Sequence, residues 1–308
     1  MESIFQSKYW EEFKLKTGYQ KSYWLDGILI LRKDLPLGYS MLYSPLVKES
    51  QVAALSDKDF HKTIQTICED NNAIFYRLEL DIPKDQFEPP KSFIRAFEEM
   101  QPEHTLTLDL TKSADQLLSE MKQKGRYNVR LAAKNELTIV KETDLQHGID
   151  IFFELYSVTA KRHHITYRTK KYFDNFAQTI GQNDLMKIYT AYKVIDGKNT
   201  PLASAIIVYS GKTAIYMFGA SSDEYKNLMA PYLLHWEIIQ ESKELGYDKY
   251  DFFGVAPDDD PKHAWAGVTR FKKQFGGEVE SIMGSYDLVA KPIQYKLFKL
   301  AEKIRRRG

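Results

Sequence analysis

The sequence is poor in the groups that build several common kinds of site. It has one cysteine, Cys68, in 308 residues. That excludes an intramolecular disulfide and a cysteine-rich metal centre. Seven histidines are present but scattered, and only His163 and His164 are adjacent. With no HExxH pattern and no cysteine pair, ligand spacing for zinc is missing. There is no GxxxxGK[ST], no GxGxxG and no GxSxG, so nucleotide-loop and serine-hydrolase signatures are absent as well. No apolar run approaches the ~18 residues a membrane span requires. One thiol, and an opening MESIFQSKYWEEF without signal-peptide character, predict a reducing cytoplasmic setting. Charge of one sign is lacking too. Lys plus Arg number 43 and Asp plus Glu 42, a net +1, which excludes a uniformly basic nucleic-acid coat but permits local basic patches.

What is present suits a folded chain. Hydrophobic residues make up 43% and charged residues 28%, ordinary for a soluble globular protein. The 20 tyrosines and 17 phenylalanines supply ample core area. At about 150 residues per domain, the length predicts roughly two domains, or one large one.

Periodicity sketches the elements. Residues 7–16 read as a helix, 24–34 as one strand, and 39–45 as a strand stopped by Pro45. A helix over 57–70 places Ile64, Ile67 and Cys68 on one face, which makes Cys68 a packing residue. A strand follows at 73–80, a proline-rich loop at 81–90 and a short helix at 92–100. The second half begins with a strand at 105–110 and a helical pattern from Ser113 through Leu131. A strand at 137–142, a helix over 146–161 and a helix after 165–176 follow. Then comes a three-stranded meander with turns at Asp196-Gly197 and Gly211. A helix over 230–246, ended by Gly246, a buried strand at 250–255 and a final helix over 287–304 complete the chain. In the last helix Ile293, Leu297, Leu300 and Ile304 share a stripe.

This order is mixed α+β, not regular βαβ. It suits two N-acetyltransferase-like (GNAT-type) domains with largely antiparallel sheets. The expected boundaries are residues 1–104 plus 287–308 for the first domain and 105–286 for the second.

Three segments carry candidate chemistry. MKQKGRYNVRLAAK (121–134) places Lys122, Lys124, Arg126, Arg130 and Lys134 around Tyr127. Arg126 and Arg130 are i,i+4 neighbours on a helix, and guanidinium forks match phosphate oxygens; a plain solvated helix face is the alternative. Residues 291–308 hold seven basic side chains against Glu302 alone, a pattern that fits an anionic membrane surface, RNA or a solubilising end. The stretch 250–280 runs from an apolar strand through an acidic loop to Phe271-Lys272-Lys273-Gln274-Phe275-Gly276-Gly277. The paired glycines permit a sharp turn, and a lysine fixed before it among aromatics would have a positioned ammonium. The segment Lys226 to Pro231 (KNLMAP), where a coenzyme A phosphate loop would fall, has no glycine.

The combination of YDFFGV, GVTRFKKQFGGE, YMFGASS followed by APYLLHWEII, and KGRYNVRLAAK resembles the FemABX family, over nearly the whole chain. These are tRNA-dependent peptidoglycan-bridge aminoacyltransferases. The resemblance implies two acetyltransferase-like domains, the first completed by the C-terminal helix, and no metal or CoA cofactor. The partners it implies are aminoacyl-tRNA and a UDP-linked or lipid-linked muropeptide precursor. It makes Lys272, after Phe271, the catalytic candidate facing the ester. Lys14, from Trp10-Glu-Glu-Phe-Lys14, and Arg168 with Tyr172, from ITYRTKKYF, become candidates for the precursor's diphosphate. Glu79 is a weaker substrate-binding match, and Tyr216 is a substrate-binding candidate as the hydroxyl that remains beside Phe218. Phe218 stands where relatives can carry tyrosine. The chain lacks the long coiled-coil arm some relatives insert, so Lys122, Lys124, Arg126 and Arg130 are the candidate tRNA contacts. The competing functions are a CoA-dependent N-acyltransferase and a non-enzymatic RNA- or membrane-binding protein. Peripheral contact with the inner membrane surface would follow from the basic tail.

Overall fold

The computed structural model describes residues 3–163, 167–258 and 260–305. The chain divides into two units, Met1–Glu103 with Ser281–Gly308, and His104–Glu280.

In the first unit, α1 (Lys8–Lys16) starts at Ser7, whose hydroxyl accepts the Trp10 N–H. It buries Trp10 and Phe13. The single strand expected over 24–34 is two strands, β1 (Lys21–Leu25) and β2 (Ile28–Asp34). Asp26 and Gly27 both hold positive φ and pair Leu25 with Ile28, the two-residue turn that right-twisted hairpins favour. Pro45 does not stop the next strand, since β3 runs Ser40–Lys48. Its register against the following strand slips between Ser44 and Val47, so the missing proline N–H falls at an irregularity where no ladder bond is required. The helix α2 (Lys58–Asp70) is capped by Asp57 and buries Phe60, Ile64 and Cys68. β4 (Ala73–Pro83) follows, parallel to β3. Where a helix was expected over 92–100, Phe93–Arg95 forms the short strand β5.

The second unit opens with β6 (His104–Asp109) and α3 (Ala114–Glu120), whose start is a reciprocal Ser113–Gln116 capping box. The helical pattern expected through Leu131 is interrupted. Met121 and Lys122 are extended, and α4 spans Gln123–Ala133. β7 (Thr138–Lys141), α5 (Leu145–His163) and α6 (Lys170–Thr179) come next. The meander is β8 (Met186–Ile195), β9 (Lys198–Ser210) and β10 (Thr213–Ser221). Then α7 (Ala230–Glu244), β11 (Lys249–Gly254) and α8 (Ala266–Lys272) complete the unit. The sheet order is β6-β11-β10-β9-β8-β7, antiparallel except for the parallel β10–β11 pair.

The chain then forms β12 (Glu278–Val289) and α9 (Pro292–Arg305). The helix expected over 287–304 therefore starts at Pro292, and residues 287–289 are strand. Asp287 pairs with Arg77 in register, and the Arg77 guanidinium bonds both its carboxylate oxygens at 2.8 Å. A buried ion pair on a strand face breaks the apolar alternation by which strands are recognised. β12 also explains β5, because Phe93–Arg95 pairs along its other edge. That pairing satisfies backbone groups an edge would leave open, and it overrides the local helical pattern. The first unit's sheet thus runs β1-β2-β3-β4-β12 with β5 beside β12. Both units are mixed, largely antiparallel sheets with helices, the α+β class expected.

Candidate active site

The end of β11 is bent on purpose. Tyr250 and Phe252 are buried, and between them Asp251 turns its carboxylate onto the backbone N–H of Phe253 at 2.7 Å and onto the Thr105 hydroxyl. Phe253 is held at φ +60°, a conformation costly for a bulky residue. The ladder with β6 skips between Asp251 and Gly254. The result is a kink just before Gly254, where pairing resumes with Thr105.

Into this kink α8 brings Lys272. Its Nζ donates to the Gly254 carbonyl at 2.6 Å, and the residue is only 6% exposed. The Ala256 N–H donates to the Thr269 hydroxyl at 2.9 Å, which ties α8 to the segment after β11. The chain then turns through Lys273–Phe275 into Gly276 and Gly277, at φ +84° and +80°. A Cβ at Gly277 would lie 2.2 Å from the Thr107 carbonyl, and one at Gly276 would lie 2.7 Å from that of Glu120. Only glycine gives both the left-handed turn and the close approach.

Aromatic rings exclude water around the ammonium. Phe271 packs on Tyr232, His235 and Phe275 with centroids 5.2–5.5 Å apart. The Tyr216 ring lies 5.7 Å from Lys272 Nζ. Tyr216 precedes a bulge in β10, and its hydroxyl occupies the space a Cβ at Gly219 would fill. Burial, partly opposed by the Asp251 charge, pushes the Lys272 ammonium down to about 8. Burial pushes the Asp251 carboxyl up to about 6, against the pull of Thr105, the Phe253 N–H and Lys272. His235, hydrogen-bonded to the Tyr250 hydroxyl at 2.9 Å, is driven down to about 3 by burial and by Lys272, so it stays neutral. The arrangement offers a buried cation with one N–H engaged and capacity for further acceptors.

A second cluster forms in the same unit. The Arg168 guanidinium stacks over the Tyr172 ring at 4.5 Å. Tyr172, Phe173 and Phe176 meet Phe218 edge-on, so Phe218 is an apolar packing residue of β10 there. Ile165 and Thr166 of that motif lie outside the described residues. β10 links the two clusters, with Tyr216 at Lys272 and Phe218 at Tyr172.

Lys14 and Glu79 belong to the first unit. Lys14 Nζ sits 4.7 Å from the Tyr19 ring and 5.6 Å from that of Trp10. Glu79 is buried and accepts from the Tyr43 and Ser285 hydroxyls and from the backbone N–H groups of Met100 and Gln101. Its carboxylate is occupied by its own fold.

Of the basic patch, Lys122, Lys124 and Arg130 are exposed, but Arg126 is turned back onto the Ser119 and Met121 carbonyls, 2.9 Å from the former. It caps the end of α3. Lys122 also borders a cleft of about 660 Å³ whose walls include Lys112, Lys273, Glu120, Glu278 and Glu280. The signs alternate there, and Lys249 is already bonded to Glu280, so the cleft is no uniform phosphate cradle. Lys272 does not line it.

At the β10–α7 connection, Lys226–Leu228 make a single 3₁₀ turn and α7 opens with Ala230-Pro231. Proline has no N–H, so this helix start cannot present an unbroken row of phosphate donors. Cys68 is buried, and burial raises its thiol to about 12, which suits packing. Among the described residues no three metal-ligating side chains converge.

Sequence reasoning missed Asp251, His235 and Thr269. Only Asp251 left a signal, as an acid inside an otherwise apolar strand.

Residues 91–193 and 187–303 match the FemAB family. The aminoacyltransferase FemB of Staphylococcus epidermidis is 33% identical over 110 residues, 36% of this chain and 26% of that protein. The match therefore spans about a quarter of FemB's length. The lipid II:glycine glycyltransferase of Staphylococcus epidermidis is 21% identical over 355 residues, covering 91% of this chain and 83% of the other. A crystal structure of FemX superposes with a TM-score of 0.80 at 19% identity, over 96% of this chain and 94% of that one. The C-terminal domain of a putative lysylphosphatidylglycerol synthetase from Agrobacterium fabrum gives 0.59 at 14% identity, over 96% and 97%. These structures establish likeness of fold, and the family match covers more than half of the residues. The chain belongs to the FemAB family.

Proposed function

We propose that this chain transfers an amino acid from aminoacyl-tRNA to the stem-peptide amine of a peptidoglycan precursor. The observation that carries this reading is the buried Lys272 ammonium at the bent end of β11, in a chain whose relatives include an aminoacyltransferase and a lipid II:glycine glycyltransferase.

The chemistry asks little of the protein. The precursor's amine attacks the ester carbonyl and the oxygen gains charge. The bond to the tRNA ribose then breaks, the amine gives up a proton and the ribose oxygen takes one, leaving an amide and a free hydroxyl. Orientation of the two substrates supplies roughly 7–11 kcal/mol of the barrier. One well-placed donor at the oxyanion supplies about 3–4 kcal/mol more.

In this reading Lys272 is that donor. Phe271 and Tyr216 keep its surroundings dry, and Asp251 keeps it charged. Arg168, held over the Tyr172 ring, takes a phosphate of the precursor. Lys14 is a phosphate-binding group of its own unit. Lys122, Lys124 and Arg130 meet the tRNA backbone, while Arg126 holds α3 against α4.

The test offers the purified protein mixed charged tRNAs with UDP-linked and lipid-linked precursors, and acetyl-CoA in a parallel tube. Mass spectrometry should show one aminoacyl residue added to a precursor amine and no acetyl product. Acetyl transfer, or no product from any charged tRNA, overturns the proposal.

A further inference from the structure

The last helix presents an apolar face that the fold leaves uncovered. Ile293, Leu297, Leu300 and Ile304 recur every four or three residues along α9, so they form one stripe. They are 72%, 61%, 56% and 64% exposed. The opposite face is fixed. Tyr295 and Phe298 pack on Phe75 and Phe97, and the Tyr295 hydroxyl donates to Asp287 at 2.7 Å. The helix therefore cannot roll to hide its stripe without breaking that anchor.

The charges beside the stripe have one sign. Lys296 and Lys303 are exposed on one flank, and Lys299 stands next to them, 5.7 Å from the Phe97 ring. The helix's one acid, Glu302, is turned away from solvent, its side chain 13% exposed, and is paired with Arg305. The outward surface thus combines aliphatic side chains with cations and carries no exposed carboxylate.

We infer that α9 docks on an anionic lipid surface, its stripe sunk between headgroups and its lysines on the lipid phosphates. A helix with an apolar face and a lysine-rich border lies in the bilayer interface in this way. At fourteen residues it is about 21 Å long, and no helix among the described residues is long and apolar enough to cross a membrane. The helix lies on the bilayer and does not span it. RNA would match the lysines but not four aliphatic side chains. A second copy in antiparallel two-fold pairing would bring lysines against lysines. The docking stands on α9 alone. Its consequence, that the precursor is met in its lipid-linked form, rests on the function proposed above.

Flotation of the full chain with vesicles tests this. Vesicles of phosphatidylcholine alone are compared with vesicles containing one third phosphatidylglycerol. The chain should float with the anionic vesicles only. The double variant Leu297→Gln/Leu300→Gln, with an unchanged circular dichroism spectrum, should stay at the bottom. Lys296→Gln and Lys303→Gln should each weaken binding about fivefold. No flotation of the wild type overturns the inference, as does flotation that the double variant retains. A concentration-dependent dimer abolished by the same double variant, in a chain that does not float, assigns the stripe to self-association instead. Transfer to a soluble UDP-linked precursor is read in parallel. Vesicle binding without any transfer would sink the proposed function and leave the docking intact.

Discussion

The Lys272 ammonium and the Gly254 carbonyl stand 2.6 Å apart although seventeen residues separate them in the chain. The strand kink and the short helix α8 exist, in effect, to make that contact. Lys272→Met removes the charge and keeps most of the volume. It should lower kcat about 10²–10³-fold, with the far-ultraviolet circular dichroism unchanged. Turnover at the wild-type rate would remove Lys272 from the mechanism.

The same burial sets a pH dependence. Lys272 loses its proton near 8, so a reaction that needs the ammonium should slow as pH rises through about 8. Stability should move the other way. The folded chain holds this proton less tightly than the unfolded chain, whose lysine titrates near ~10.4. The unfolding free energy should therefore rise between about pH 8 and ~10. Denaturant melts across that interval should show the rise in the wild type and its absence in Lys272→Met. Asp251 works oppositely: raised to about 6, it should cost stability as pH climbs from ~4 towards 6.

In the proposed function Arg168 and Lys14 serve binding and not chemistry. Arg168→Ala and Lys14→Ala should raise the KM for the precursor about tenfold, on the order of one lost charge-assisted contact, with kcat preserved. Initial-rate kinetics separate the two parameters. A fall in kcat at constant KM would assign these side chains to the reacting centre.

The basic patch divides into surface and support. Lys122→Ala, Lys124→Ala and Arg130→Ala should each reduce the slope of log affinity for tRNA against log salt by about 1 or less. Arg126→Ala should leave that slope alone and lower the melting temperature, because Arg126 bonds the carbonyls at the end of α3. Filter binding over a salt series, beside thermal melts, reads both. An equal slope change for all four would return Arg126 to the interface.

In the first unit Arg77 and Asp287 form a buried pair, joined by Glu98 and the Tyr295 hydroxyl. Asp287→Asn leaves the guanidinium under-compensated and should cost about 3–5 kcal/mol. Urea melts measure it, and a change below ~1 kcal/mol would show that Glu98 alone suffices.

Much of the architecture could be read from local chemistry. The Asp196-Gly197 turn, the Ser113 cap and the Gly276-Gly277 bend each rest on residues whose own φ preference or side-chain reach dictates the backbone. Cys68 and the β8–β10 meander followed from periodicity. The presence of a lysine before the double glycine was likewise visible in the chain alone.

Other features depended on what distant segments did. β5 is a strand because β12 offers it an edge, and β12 escaped notice because Asp287 is buried against an arginine 210 positions away. Arg126 and Glu79, charged groups that periodicity leaves available, are consumed, the first by carbonyls at the end of α3, the second by hydroxyls of β3 and β12 and by the Met100 and Gln101 amides. Sequence by itself determined which faces are apolar, where turns must fall and which side chains can carry charge. Tertiary structure alone decided which of those faces stay uncovered, as on α9, and how far a buried neighbour moves a proton, as between Asp251 and Lys272. The reason is that burial and electrostatic coupling are properties of packing between residues far apart in the chain, and no local pattern encodes them.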